Sequence, residues 1–178
     1  MTIKKIITVP DPFLKQISNT VESVTKDIQI LMDDMLDTMY DAPGIGLAAV
    51  QIGIPLRVIV MDISWKNEEG IREPMFFVNP KIVSKAEDMS TYEEGCLSVP
   101  NQYAEIDRPE KCTIEYVDYN GEEKILDAEG ILATCIQHEM DHLEGILFID
   151  YLSNLKKNMI VKKLIKSRKS SNKERIVA

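Results

Sequence analysis

Both histidines of the 178-residue chain fall within one pentapeptide, His138-Glu139-Met140-Asp141-His142, and no other feature restricts the fold as much. Residues four apart lie one turn apart on the same side of an α-helix. The HExxH spacing therefore predicts a helix that presents two imidazoles to one ion. Glu139 is offset around the axis, where it can take a proton from water held on that ion. Residues 127–143, DAEGILATCIQHEMDHL, supply the helix. Ile131, Cys135, His138 and His142 share one face, and Gly145 is the expected stop.

A catalytic ion commonly takes three protein ligands and keeps one position for water. The extended pattern HExxHxxGxxH would put a third histidine at position 148, but the chain has Phe148 there. The acidic residues after Glu144 are Asp150 and Glu174, neither in a persuasive context. A thiolate remains, and two cysteines qualify. Cys135 lies three residues before His138; Cys96 lies in Glu94-Gly95-Cys96-Leu97-Ser98, where Gly95 permits close backbone approach. Spacing leaves both open. Cys112, in an alternating segment, reads as a small buried hydrophobe.

Three cysteines at irregular spacing argue against a disulfide framework and for a reducing, cytoplasmic setting. No apolar run approaches the roughly 18–20 residues that cross a bilayer. The start of the chain breaks at Pro10 before any signal-like region develops, so no membrane partner is expected. The composition, 44% hydrophobic and 28% charged, is that of a packed domain. Charge is unevenly placed: Leu155 to Ala178 holds nine Lys/Arg and one Glu, about +8, leaving the rest near −16. A division follows, with a catalytic domain over 1–154 and a basic amphipathic helix and tail over 155–178.

Thr25 is placed to cap a helix whose Ile28, Leu31, Met32, Met35, Leu36 and Met39 form a core-facing stripe ending before Pro43-Gly44. Strands are expected over 57–63, 75–78, 82–84 and 112–117, with a turn at Asn120-Gly121. From Ser153 to Ser167, Leu155, Met159, Ile160, Leu164 and Ile165 recur between lysines, as in an amphipathic helix. The predicted class is α+β: antiparallel sheets around a central HExxH helix, with an N-terminal helix and a C-terminal amphipathic helix.

Three motifs in order, Gly44-Ile45-Gly46-Leu47-Ala48-Ala49-Val50-Gln51, Glu94 to Ser98 and Gln137 to His142, give the chain a close resemblance to bacterial peptide deformylases. The resemblance implies that Cys96, His138 and His142 bind the metal and that Cys135 belongs to the pocket wall. It implies hydrolysis of the formyl group from the formylmethionine of nascent peptides, with Glu139 as base and the Gln51 amide and Leu97 N–H on the formyl oxygen. Ile45 and Gly46 would pair with the extended peptide. Glu94 and Gly95 would line its path, and the methionine would enter a pocket that includes Ile131 and Cys135. The ligand types alone suit Zn2+; the resemblance implies Fe2+, with Zn2+, Ni2+ or Co2+ in preparations, and a monomer is expected.

Tyr103 departs from the arginine common near the family's pocket mouth, and Arg108 matches a second common arginine that either orders this loop or makes a surface ion pair. The basic tail either packs on the domain or docks on ribosomal RNA. The competing readings are a zinc endopeptidase that uses Asp150, and a ribosome-associated module with a structural ion and no need of Glu139.

Overall fold

The structure, a computed structural model, describes residues 2–66 and 70–176, with side chains as far as Arg168. Its elements run α1 (Lys26–Asp41), β1 (Gly46–Ala48), β2 (Val58–Met61), β3 (Met75–Lys85), β4 (Met89–Cys96), β5 (Val99–Pro109), β6 (Lys111–Val117), β7 (Glu123–Glu129), α2 (Gly130–Leu143) and α3 (Asn154–Ile176), with short 3-10 turns between some of them. Strands β1-β2-β3-β6-β7 form a five-stranded sheet, and β4-β5 form a separate two-stranded ribbon. Every pairing within them is antiparallel.

Strand β2 shows how the layers stack. Its four residues are all buried, which requires cover on both faces of the sheet. Ile59 and Met61 join a core with Ala133, Ile136 and Leu143 of α2. Val58 and Val60 face the other way, into a core with Met32, Met35 and Met39 of α1. The methionine stripe is thus core packing, and Thr25 caps α1 by accepting the Ile28 N–H. A third core, with Val9, Leu14, Val99, Ile106, Phe148 and Leu164, joins the N-terminal segment, the β4-β5 ribbon and α3.

The predicted boundaries shift in four places. Strand β2 is shorter than 57–63. The two strands expected at 75–78 and 82–84 are one, β3, which passes Asn79-Pro80 through a register shift between Val78 and Lys81. A proline is tolerated where the ladder is already interrupted, and Asn79 adopts φ 51 while its amide bonds both main-chain groups of Val21. Residues 127–129 belong to β7, paired through Lys111↔Glu129, so α2 starts only at Gly130, whose φ of 58 turns the chain.

The fourth shift concerns α3, which runs past 167 to Ile176. Its packed face is Ile160, Val161 and Leu164. Leu155 and Met159 of the expected stripe stay exposed, because residues four apart on that row fall on a different side from 160 and 164.

Helix α2 ends as expected. Ile146 N–H donates to the Asp141 carbonyl and Gly145 N–H to the His142 carbonyl, a left-handed cap with Gly145 at φ 70. A Cβ on Gly145 would lie 2.5 Å from the Lys15 carbonyl oxygen, so only glycine lets the N-terminal segment pass so close.

Candidate metal centre and its cleft

Helix α2 is mostly buried, and its His138, Glu139 and His142 are 7%, 4% and 0% exposed. The β4-β5 ribbon brings Cys96 to them. One ligand atom from each of Cys96, His138 and His142 lies within 4.8 Å of the others, with Cys96 Sγ 3.3 Å from His142 Nε2. A thiolate and two imidazole nitrogens so placed form a donor set that could hold one divalent ion. Cys135 stands apart from this group, against the Ile45 carbonyl at 4.0 Å, and burial pushes its thiol well up.

The other candidate third ligands are engaged elsewhere or lie outside the described side chains. Asp150 is held by Lys15, by Lys157 at 2.5 Å and by the Leu147 N–H at 2.8 Å. Phe148, where the extended pattern would have a histidine, stacks beside the His138 ring with centroids 6.2 Å apart. The Glu174 side chain lies outside the described residues.

Orientation comes from a buried charge network. His138 Nδ1 meets Glu94 Oε2 at 2.7 Å, which leaves Nε2 as its ligand atom. Arg108 forks onto the same carboxylate, Nε to Oε1 at 2.5 Å and Nη2 to Oε2 at 3.0 Å. Its Nη1 donates to Asp141 at 2.8 Å, and Tyr151 donates its O–H to that same oxygen. Burial works against the Glu94 charge, but His138 and Arg108 hold its carboxyl below the usual range. Arg108 is 4% exposed, which decides between its two sequence readings: it orders the ribbon against α2 and is no surface pair. Asp141, Tyr151 and Ser98 were given no role from the sequence; Asp141 inside HExxH and Ser98 at the end of the Glu94 to Ser98 motif carried a signal that could have marked them, and Tyr151 carried none.

Glu139 sits beside this group with Oε2 buried and unpartnered among the described residues. Burial pushes its carboxyl up to about 7, against the lowering effect of His138. A Cβ on Gly46 would lie 2.5 Å from Glu139 Oε1, so the side chain rests directly on β1. Burial also drives His142 well below the usual histidine range, which keeps its ring neutral and fit to bind a cation.

Gln51 lies at the turn after β1 and is 1% exposed. Its Oε1 accepts the Ala48 N–H at 2.8 Å, which aims Nε2 at Ser98 Oγ, 3.1 Å away, and at Cys96 Sγ, 3.5 Å away. A cavity of about 730 Å³ opens over the group. Ile45, Gly46, Gln51, Glu94, Gly95, Cys96, Leu97, Ile131, Cys135, His138 and Glu139 all line it. Of the residues predicted to bind metal, catalyse or line the substrate path, His142 alone is absent from that lining, being wholly buried. Tyr103 stands at the mouth, 65% exposed, with its ring laid across Gly95, its partner in the ribbon ladder.

The family model for polypeptide deformylase matches residues 3–158. The chain belongs to the polypeptide deformylase family. It is 64% identical over 166 residues to the peptide deformylase of Pelagibacter ubique, covering 93% of this chain and 95% of that one. To the peptide deformylase of Rhizobium meliloti it is 55% identical over 170 residues, covering 96% and 97%. The crystal structure of peptide deformylase from Ehrlichia chaffeensis superposes with a TM-score of 0.89 at 41% identity, covering 96% of this chain and 99% of that one. As a deformylase the chain is a hydrolase that removes the formyl group from nascent polypeptides. No helix among the described residues is long and apolar enough to cross a membrane.

Proposed function

We propose that deformylation here is metal-dependent, with Cys96, His138 and His142 as ligands and Glu139 as general base. The observation that carries this reading is the convergence of three ligand atoms within 4.8 Å beside a buried carboxylate oxygen that has no hydrogen-bond partner among the described residues. A bound divalent ion lowers the pKa of water and polarises the formyl carbonyl. Glu139, with a carboxyl near 7, takes the proton of the attacking water and returns it to the leaving amine. Gln51 Nε2 and the Leu97 N–H donate to the formyl oxygen as it gains charge, a contribution that for one such donor is typically about 10²- to 10³-fold in rate.

Ile45 and Gly46 offer main-chain groups to an extended peptide, which lets the cleft accept many sequences. Ile131 and Cys135 take the methionine side chain. Glu94 spends its carboxylate on His138 and Arg108, leaving its main chain and Gly95 to line the peptide path. The ion we assign is Fe2+, on resemblance to the family, with Zn2+, Ni2+ or Co2+ as replacements in preparations. Residues 1–154 carry the chemistry, as a cytoplasmic monomer, and 155–178 form a basic arm toward ribosomal RNA. The family match, which ends at residue 158, supports that division. Related deformylases from Ehrlichia chaffeensis and Synechococcus elongatus were crystallised in complex with actinonin, and the cleft over Cys96, His138 and Glu139 is our assigned site for it here.

The test is formate release from formyl-Met-Ala-Ser by anaerobically purified protein, wild type beside Glu139→Ala, with metal measured on both. Release by wild type alone, with metal in both, supports the reading. Full activity of metal-stripped wild type, or of the variant, rejects it.

A further inference from the structure

Residues 2–8 belong to no helix or strand, Val9 opens a turn, and the main-chain N–H groups of this segment reach three separate parts of the molecule. Thr2 donates to Asp34 Oδ1 at 2.7 Å and Lys4 to Thr38 Oγ1 at 2.9 Å, both on α1. Lys4 Nζ adds an ion pair to Asp34 at 3.0 Å. Farther along, Ile7 N–H donates to the Gln51 carbonyl at 2.7 Å and Val9 N–H to the Ser98 carbonyl at 2.9 Å. Gln51 lies just past β1, and Ser98 follows Leu97 in the turn between β4 and β5.

Those two turns flank strands of different sheets, β1 in one and β4-β5 in the other, and no ladder joins the sheets. They carry the two donors assigned to the formyl oxygen. Apart from the N-terminal segment, their link among the described hydrogen bonds is Gln51 Nε2 itself, on Ser98 Oγ and Cys96 Sγ. That amide must turn its hydrogens to substrate, so it cannot also set the distance between the two elements. An extended chain can. In an extended segment alternate N–H groups point to one side, roughly 7 Å apart, and the alternate residues Ile7 and Val9 donate to Gln51 and Ser98. The span is anchored at one end on α1 and at the other in the core that holds Val9, which is 6% exposed. Ile6, between the two anchor zones, lines the cleft.

We infer that residues 2–9 form a positioning strap for deformylation: the Ile7 and Val9 amides hold Gln51 and the Leu97–Ser98 turn at the separation where both donors reach the formyl oxygen. This rests on the assignment of Gln51 and Leu97 as those donors. The strap touches no reacting atom and acts through Gln51 and Leu97. Loosening it therefore lowers kcat, since the bonds it sets strengthen only as charge develops, and leaves substrate binding and metal content in place.

The test compares Ile7→Pro with Ile7→Ala. Both lose the side chain, but only proline loses the N–H, and its fixed φ suits an extended segment. The expected result is a kcat for Ile7→Pro at least about tenfold below that of Ile7→Ala, with KM for formyl-Met-Ala-Ser within about twofold and equal metal content. The same pair is then measured in a Gln51→Ala background, where the proline should cost less than about twofold. Equal kcat for the two single variants overturns the strap, as does an undiminished proline effect in the Gln51→Ala background. A wild-type kcat for Gln51→Ala alone overturns the donor assignment on which the strap rests, which separates the two failures. If Ile7→Pro does not fold, replacing the Ile7 amide by an ester removes the same donor with the side chain kept, and the same outcomes apply.

Discussion

Glu139 is held in an environment that disfavours its charge, and the cost has a definite pH dependence. Its carboxyl titrates at 4.5 when solvated and at about 7 in the fold. Below 4.5 it is protonated in both states. Between 4.5 and about 7 only the unfolded chain releases the proton, so stability falls as pH rises through that window and stays low above it. A shift of this size is worth about 3 kcal/mol. In metal-stripped protein, the stability difference between Glu139→Gln and wild type should therefore grow by about that amount from pH 5 to pH 8 in urea titrations. A difference independent of pH would show that the carboxyl is not raised. Gly46 tests the position of the same side chain. The Cβ of Gly46→Ala would meet Glu139 Oε1 at 2.5 Å and its Cγ at 2.9 Å, and the side chain can give way where the strand cannot. The expected outcome is a loss of about 100-fold in kcat with the melting temperature nearly unchanged. A large drop in melting temperature at normal kcat would place the strain in β1 instead.

Strands β1 and β7 and the β4-β5 ribbon were not expected from the sequence, and for the ribbon the reason is physical. Its inward residues include Glu94 and Arg108, 6% and 4% exposed, which neutralise each other across the Ser90↔Arg108 and Glu94↔Ala104 stretch of the ladder. A strand that buries charge pairs shows no apolar alternation, so 89–109 offers no period to read. In contrast, Val58 to Met61 and the methionines of α1 bury apolar faces and were legible at once. The site divides in the same way. His138, His142 and Glu139 follow from helical spacing, whereas the choice of Cys96 over Cys135 depends on a ribbon brought in from elsewhere in the chain, and only family resemblance indicated it. Arg108 is what fixes that ribbon to α2. Arg108→Ala leaves the buried Glu94 with His138 but without the guanidinium, and should cost about 3–5 kcal/mol. Arg108→Lys keeps the charge but cannot fork onto two oxygens and reach Asp141 as well. With Glu94 less firmly set, His138 is less well oriented, and the lysine variant should bind its ion about 10- to 100-fold more weakly in chelator competition. Unchanged competition would mean that Glu94 orients His138 without help.

Across the whole molecule, charge and packing separate within α3. One side, Ile160, Val161 and Leu164, closes the core that also contains Val9, Val99 and Phe148. Lys156 and Lys162 point to solvent, on a chain whose remaining body is strongly acidic. Deleting the helix would uncover that core and confuse lost docking with lost stability, so the basic arm is better probed at its exposed charges. Lys156→Glu with Lys162→Glu leaves the packed face intact. If the arm docks on ribosomal RNA through phosphate contacts, each lost lysine should lower the slope of log affinity against log salt by about one and weaken binding across ribosome preparations. Formate release from a short formyl-peptide should remain at the wild-type rate, because neither lysine lines the cleft. Unaltered ribosome binding and salt slope would leave α3 with its packing role alone. A parallel fall in short-peptide turnover would instead show that the arm's charge acts on the cleft.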